Sequence, residues 1–343
     1  MISRTIEKAS KAAVLGAGSW GTAIAIAVSK RFRELSLWVH SEQVFESLLL
    51  GGENSIYLPG FHLPDNVVPT RDLEEAVRGA RVVLFAVPTE HTRKVAKAAG
   101  RFMAPGQIPV SLSKGIENET LMRVSEILAE EMPESVRSEI SVLSGPTFAK
   151  EVAAGKPAAA TVASFSRETA SFLISALSTE SLRLYGDTDV VGVEIAGAVK
   201  NVIAIATGIA DGLGYGLNTR AAIITRGLVE ITRLGVALGA QRETFYGLAG
   251  LGDLILTCTG DLSRNRTFGM QVGAGKRPEE VLEGMRMVAE GVKTSISLHE
   301  LKSKVGVEMP ISDQVYHIIH KGKDPRDAVR DLLSRTLKME KEE

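Results

Sequence analysis

Short unbroken apolar runs recur through the first half of the chain, at Lys11–Leu15, Leu35–Val39, Val82–Val87, Ile108–Ser113, Ile140–Leu143, Ala159–Ala163 and Leu182–Tyr185. A strand with one wet face alternates apolar and polar positions, whereas a strand buried on both faces reads as a continuous apolar run. Between most of these runs lie segments of helical character: Thr22–Ser29, Leu73–Val77, Thr89–Ala99 and Leu121–Glu130. Strands alternating with helices predict an α/β fold with a mostly parallel sheet covered on both sides. After about Asp189 the texture changes. Val190–Ala210 is dominated by Ala, Ile, Val and Gly, and the helical segments Thr219–Leu238, Arg264–Val272, Pro278–Met285, Val292–Lys304 and Ser312–Ile319 follow with no strand pattern among them. The expected organisation is therefore an α/β domain over 1–190 and an all-helical domain over 191–343. The charged stretch 338–343 is expected to fray.

Composition narrows the function. The 343 residues carry 44% hydrophobic and 24% charged side chains, enough for two cores, and a formal net charge of −1. Such a balance gives no whole-molecule field towards nucleic acid or a membrane surface, so an anionic ligand has to be held by local groups. One cysteine, Cys258, excludes an intrachain disulfide and a cysteine-based zinc site, and suits a reducing, cytoplasmic setting. No run of about 18 uncharged apolar residues marks a membrane span, and 1–11 lacks the apolar core of a signal peptide. The six histidines make no metal-type pair with nearby acids, so no metal is expected.

The first chemical signal is Gly16-x-Gly18-x-x-Gly21, which follows a predicted strand and opens a predicted helix. In that context the first glycine permits the tight turn, the second lets backbone approach a pyrophosphate, and the third allows close helix packing. The helix start adds free N–H groups and partial positive charge for the phosphates. The first domain thus reads as a Rossmann-type dinucleotide-binding unit. An acid at the end of the second strand would mark NAD through the ribose 2′-hydroxyl. Here the strand ends Trp38-Val39-His40, which tilts the expectation towards NADPH without excluding NADH. His40 has two readings, beside a 2′-phosphate or facing solvent from its loop.

Reduction of a ketone by a nicotinamide calls for a proton donor and for groups that polarise the carbonyl. Lys200 is the one charged residue between Glu194 and Asp211, on a stripe with Gly197, Ala204, Thr207 and Asp211. A lysine there faces a cleft as proton donor or snorkels to an ion pair. Lys114, in the turn after a strand, suits a carbonyl or phosphate contact, and also an ordinary loop lysine. Ser144-Gly145-Pro146-Thr147 follows another strand, where Thr147 offers a hydroxyl. Asp253, in the glycine-rich Gly250-Leu251-Gly252-Asp253, either bonds its own backbone or holds Lys200 charged. Ser263 is a natural N-cap, so Arg264 and Asn265 open a helix, a start suited to phosphate as well as to plain capping. Glu290 reads as a first-turn acid, and Cys258 as a small buried hydrophobe.

The stretches GAGSWGTA (16–23), SLSKGIE (111–117), LSGPTFAKEVAAGKPAA (143–159), GVEIAGAVKNVIAIATGIADGLGYGLNTRAAIITRG (192–227), TFYGLAGLGDLILTCTGDLSRNR (244–266) and VAEGVKT (288–294) together resemble the bacterial NAD(P)-dependent glycerol-3-phosphate dehydrogenases. The likeness extends from about Ala12 to Leu333. It implies hydride transfer between NAD(P)H and dihydroxyacetone phosphate, giving sn-glycerol 3-phosphate for phospholipid synthesis. Lys200 matches the family's proton donor and acceptor. Lys114, Gly145, Thr147, Asp253, Ser263, Arg264 and Asn265 match substrate contacts. Ser19, Trp20, His40, Tyr57, Lys114, Ala149, Arg264, Val288 and Glu290 match cofactor contacts. Thr147 stands where serine is common, and His40 where arginine is frequent, which weakens a strict NADPH preference. Expected partners are a small phosphate substrate and, as an open question of assembly, a second copy in a homodimer; neither nucleic acid nor membrane insertion is expected. Two other readings stay open: a dehydrogenase of β-hydroxy acids, and a dinucleotide-sensing protein without catalysis.

Overall fold

The computed structural model describes residues 9–285, 289–337 and 339–340. The first part runs β1 (Ala9–Leu15), α1 (Ser19–Val28), β2 (Phe32–Trp38), α2 (Glu42–Gly51), β3 (Glu53–Asn54), β4 (Leu58–His62), β5 (Val67–Thr70), α3 (Leu73–Val77), β6 (Val82–Phe85), α4 (Thr89–Gly100), β7 (Ile108–Ser111), α5 (Val124–Glu131), α6 (Glu134–Arg137), β8 (Ser141–Ser144), α7 (Ala149–Ala153), β9 (Ala158–Ser164), α8 (Arg167–Leu177) and β10 (Leu182–Asp187). Eight strands form one sheet in the order β10-β9-β8-β7-β6-β1-β2-β5. Neighbours are parallel except β8 and β9. Each apolar run became a strand, because burial on both faces demands that composition. Two apolar cores flank the sheet, one under α1 and α8 and one under α3, α4 and α5.

The pattern reading missed β5 and the β3–β4 ribbon. Strand β5 is four residues at the sheet edge and includes Pro69, which an edge tolerates because its missing N–H is not needed there. The helix expected from Leu121 starts later, at Val124. Leu121 has φ 62°, outside right-handed helical geometry, and the chain enters α5 at Arg123, whose backbone N–H donates to the Glu126 carboxylate at 2.8 Å.

The second part is α9 (Val190–Gly212), α10 (Leu217–Ala237), α11 (Asp253–Thr259), α12 (Arg264–Gly273), α13 (Pro278–Glu283), α14 (Glu290–Val305), α15 (Pro310–Lys321) and α16 (Pro325–Leu333), with no strand among the described residues. Helix α9 is the spine. It is long and apolar enough to cross a membrane, and 83% of its most apolar window is buried inside the protein. Asp189 caps it, accepting from the Gly192 N–H at 2.9 Å, while its other oxygen accepts from the Gln241 N–H and the Thr244 hydroxyl. Glu194 ties α9 back to the first part, accepting from the Ser125 N–H at 2.7 Å and pairing with Arg123 at 2.8 Å. Burial holds the Glu194 carboxyl above the usual carboxylate range, with Arg123 opposing. Helices α9 and α12 pack backbone to backbone: a Cβ on Gly208 would strike the Arg266 carbonyl, and one on Gly269 the Ile205 carbonyl. This close approach brings the amino end of α12 alongside the middle of α9.

Candidate functional site

The glycine turn between β1 and α1 sits at the carboxyl edge of the sheet, where open α/β sheets bind ligands. Gly16 has φ 112°, and a Cβ there would meet the Ala86 carbonyl at the end of β6. A Cβ on Gly21 would strike the Gly16 carbonyl, whereas one on Gly18 would meet nothing within 4 Å. Two glycines are therefore needed for packing and the middle one leaves an open cradle. Gly18 is the N-cap of α1 with no side chain to occupy the first N–H groups, and the first turn carries no acid. A helix start of this kind suits an anion. Trp20 Nε1 is buried with no hydrogen-bond partner among the described residues. The turn thus fits the pyrophosphate of a dinucleotide.

The β3–β4 ribbon serves the same place. Buried Asn54 donates to the Ala17 carbonyl at 2.8 Å and to the Thr22 hydroxyl at 2.9 Å, and accepts from the Tyr57 N–H. The Ser19 hydroxyl donates to the Tyr57 carbonyl at 2.6 Å. Tyr57 is pinned beside the glycine turn by a residue whose burial no local pattern announces.

A cleft of about 480 Å³ runs from this turn into the second part of the chain, within the usual size of small-molecule sites. Gly18, Ser19, Trp20, Tyr57, Lys114, Thr147, Ala149, Lys200, Asp253, Ser263, Arg264, Asn265 and Glu290 all line it. At its floor one carboxylate holds two amines. Asp253 Oδ1 accepts from Lys200 Nζ at 2.8 Å, and Oδ2 accepts from Lys114 Nζ at 2.7 Å. Lys200 is 5% exposed and Asp253 1%. Burial pushes the Lys200 amine down to about 8; Asp253 raises it and Lys114 lowers it further. An amine so placed exchanges its proton near neutral pH, which suits an acid and base for an alcohol–ketone pair.

Thr257 completes this arrangement: its hydroxyl accepts from Lys200 Nζ at 2.6 Å and donates to the Asp253 carbonyl at 2.6 Å. The sequence does not announce Thr257, because the glycines before Asp253 read as a turn and hide the start of a helix. Asp253 instead opens α11, after a π-helical turn over Leu248–Gly252. With that helix in view, the i, i+4 spacing puts Thr257 on the face of Asp253. The wide turn is possible because Gly250 has no Cβ to strike the Phe245 carbonyl.

Lys114 also donates to the Gly145 carbonyl at 3.2 Å, and the Thr147 hydroxyl donates to the same oxygen at 3.0 Å. Gly145 supports the floor from behind and is not part of the cleft wall. It has φ 154°, and a Cβ would lie 2.8 Å from the Ala160 backbone. Ser263 caps α12, accepting from the Arg266 N–H at 3.2 Å. Asn265 bridges, donating to Asn201 at 3.0 Å and accepting from the Gly291 N–H at 2.9 Å. Arg264 reaches the cleft from the first turn of α12. Glu290 opens α14; burial raises its carboxyl above the usual range, opposed by Arg264, Lys114 and Lys200. His40 lies outside the cleft wall, exposed beyond β2. Val288 falls outside the described residues. Cys258 is fully buried and its thiol is pushed up to about 12 by burial, so it is no nucleophile. His317 and His320 depart from the solvated face expected of them: both are partly buried, and His320 Nε2 lies 2.9 Å from the Ser295 hydroxyl.

The model described as NAD-dependent glycerol-3-phosphate dehydrogenase N-terminus matches residues 11–170, and the corresponding C-terminus model matches 189–330. The chain belongs to the NAD-dependent glycerol-3-phosphate dehydrogenase family. The glycerol-3-phosphate dehydrogenase [NAD(P)+] of Syntrophotalea carbinolica is 50% identical over 327 residues, 95% of this chain and 98% of the relative. That of Citrifermentans bemidjiense is 51% identical over 332 residues, 97% and 99% of the two chains. The crystal structure of glycerol-3-phosphate dehydrogenase from Coxiella burnetii superposes with a TM-score of 0.90 at 37% identity, covering 95% of this chain and 99% of that one. The chain is an NAD(P)-dependent oxidoreductase of the class acting on a CH–OH group.

Proposed function

We propose that this chain interconverts dihydroxyacetone phosphate and sn-glycerol 3-phosphate, supplying the phospholipid backbone in the cytoplasm. The observation that carries this reading is the Lys200 amine, buried and tied to Asp253 in the same cleft as the glycine turn. Residues 1–190 form the dinucleotide-binding domain and 191–343 the substrate-binding domain, with Lys114 and Thr147 of the first reaching the substrate and Arg264 and Glu290 of the second reaching the cofactor. The nicotinamide, when bound, supplies or takes the hydride at C2 of the substrate. Lys200 Nζ gives its proton to the oxygen forming at C2, and in the reverse direction takes it back. Lys114 adds positive charge beside that oxygen. Ser263, Arg264 and Asn265 receive the phosphate at the start of α12, where the positive end of the helix and the guanidinium favour a dianion. Thr147 lines the same cleft as a further substrate contact, and Glu290 and Ala149 line it as cofactor contacts. NADPH and NADH both serve, with a slight lean to NADPH from the missing acid at the end of β2. A homodimer is the assembly to test by light scattering, and the reading involves neither membrane insertion nor nucleic acid.

The direct test is loss of NAD(P)H absorbance on adding dihydroxyacetone phosphate; no loss with either cofactor at any pH rejects the proposal. The pH profile adds a signature. Reduction needs the protonated amine, so its rate falls as pH rises through about 8. Oxidation needs the neutral amine, so its rate rises over the same interval. Two profiles of the same sign would show that Lys200 is not the titrating group.

Arg264→Ala is expected to raise KM for dihydroxyacetone phosphate by about 10- to 100-fold, the usual worth of a charge-assisted hydrogen bond. With unphosphorylated dihydroxyacetone the same variant should lose little. Equal losses on both substrates would remove Arg264 from the phosphate site.

A further inference from the structure

We propose that Arg71, beside His40, receives the 2′-phosphate of NADP(H), and that Glu42 sets the balance between the two cofactors by competing for Arg71. The inference rests on the dinucleotide reading of the glycine turn and concerns the far end of the same ligand. In a sheet of this kind the adenosine ribose lies beyond the carboxyl end of the second strand. Here that place is built by two strands. β2 and β5 are parallel neighbours with Trp38 opposite Thr70, and the Val39 N–H donates to the Thr70 carbonyl at 2.8 Å. His40 and Arg71 therefore leave the sheet side by side. Trp38 holds both: its Nε1 donates to the Arg71 carbonyl at 3.2 Å, and its ring centroid lies 5.8 Å from that of His40.

Arg71 pairs with Glu42, the first residue of α2, at 3.2 Å, and the two side chains are 45% and 70% exposed. An ion pair this open to water holds weakly. A phosphate dianion offers the guanidinium a fork of two charged oxygens, a stronger partner than one mobile carboxylate. With NADP(H) the arginine turns to the phosphate. With NAD(H) it stays on Glu42, whose second oxygen is left for a ribose hydroxyl. The neighbouring acids are occupied: Asp72 accepts from the Glu74 and Glu75 N–H groups as the cap of α3, and Glu75 accepts from the Thr70 hydroxyl. One exchangeable pair thus accounts for use of both cofactors at a strand end that carries neither an acid nor an arginine of its own.

The experiment is kcat/KM for NADPH and for NADH, at saturating dihydroxyacetone phosphate, in the wild type, Arg71→Ala and Glu42→Gln. Arg71→Ala should lower the NADPH value by about 10- to 100-fold and move the NADH value by less than about 2-fold. Inhibition by 2′,5′-ADP should weaken in the same variant while that by 5′-AMP holds. Glu42→Gln should raise the NADPH-to-NADH ratio. Equal changes for both cofactors, or no change for NADPH, overturn the subsite while NADH turnover leaves the dehydrogenase reading standing. A wild type that turns over NADH and not NADPH also overturns the subsite, and one that uses neither overturns both.

Discussion

Lys200→Ala lowers turnover of dihydroxyacetone phosphate by about 10²–10⁴-fold, the range that a positioned general acid contributes, with NAD(P)H affinity nearly intact. The amine is the group placed to deliver a proton: it is buried, fixed by Asp253 and Thr257, and lowered to about 8. Removing it leaves Lys114 still bonded to Asp253, so the charge on the floor changes from two amines on one carboxylate to a simple pair. The floor should therefore survive the substitution, and the loss should sit in kcat more than in KM. Steady-state kinetics with cofactor titration checks this. Near-normal kcat would remove Lys200 from the chemistry.

Asp253→Asn is the second large effect, and it acts through the lysines. The carboxylate is what raises the Lys200 amine against burial. Without it that amine falls below about 8 and less of it carries a proton at pH 7, so the reductive profile moves to lower pH and the rate at pH 7 drops, towards the roughly 10²-fold that a lost general acid costs. Stability changes with pH in the opposite sense. Lys200 in the fold holds its proton less tightly than a free lysine, so the unfolded chain binds more protons between about 8 and the ordinary lysine value, and stability rises with pH across that window. In Asp253→Asn the window widens downward. Breaking a buried pair costs about 3–5 kcal/mol, so the variant should be weakest against wild type below about pH 8, and the deficit should shrink as pH rises through that value, where the wild-type amine itself loses its proton. Thermal unfolding against pH, together with the reductive pH profile, reads both. A profile that does not shift would separate Asp253 from the state of Lys200.

Much of the site was visible because its residues follow strand ends or open helices. The Gly16–Gly21 turn, Lys114 after β7 and the cap at Ser263 are local patterns with local causes, and each lies where its pattern placed it. Thr257 was hidden because Asp253 looked like a turn residue, and glycines around it conceal a helix start. Tyr57 was known only through resemblance; its position depends on Asn54, a polar residue made central by burial. The role of Gly145 changed, from a lining position to a carbonyl that holds Lys114 and Thr147 from behind.

The order of apolar runs, the glycine spacing and the apolar spine from Val190 settled the α/β-then-helical architecture and the family, since these depend on neighbours along the chain. The joining of Lys114, Lys200 and Asp253 was decided only in three dimensions. Asp253 lies 139 residues from Lys114 and 53 from Lys200, and no period in the sequence links positions so far apart. They meet because α9 threads between the sheet edge and α12, and because a single buried carboxylate has to satisfy both amines that this packing delivers to it.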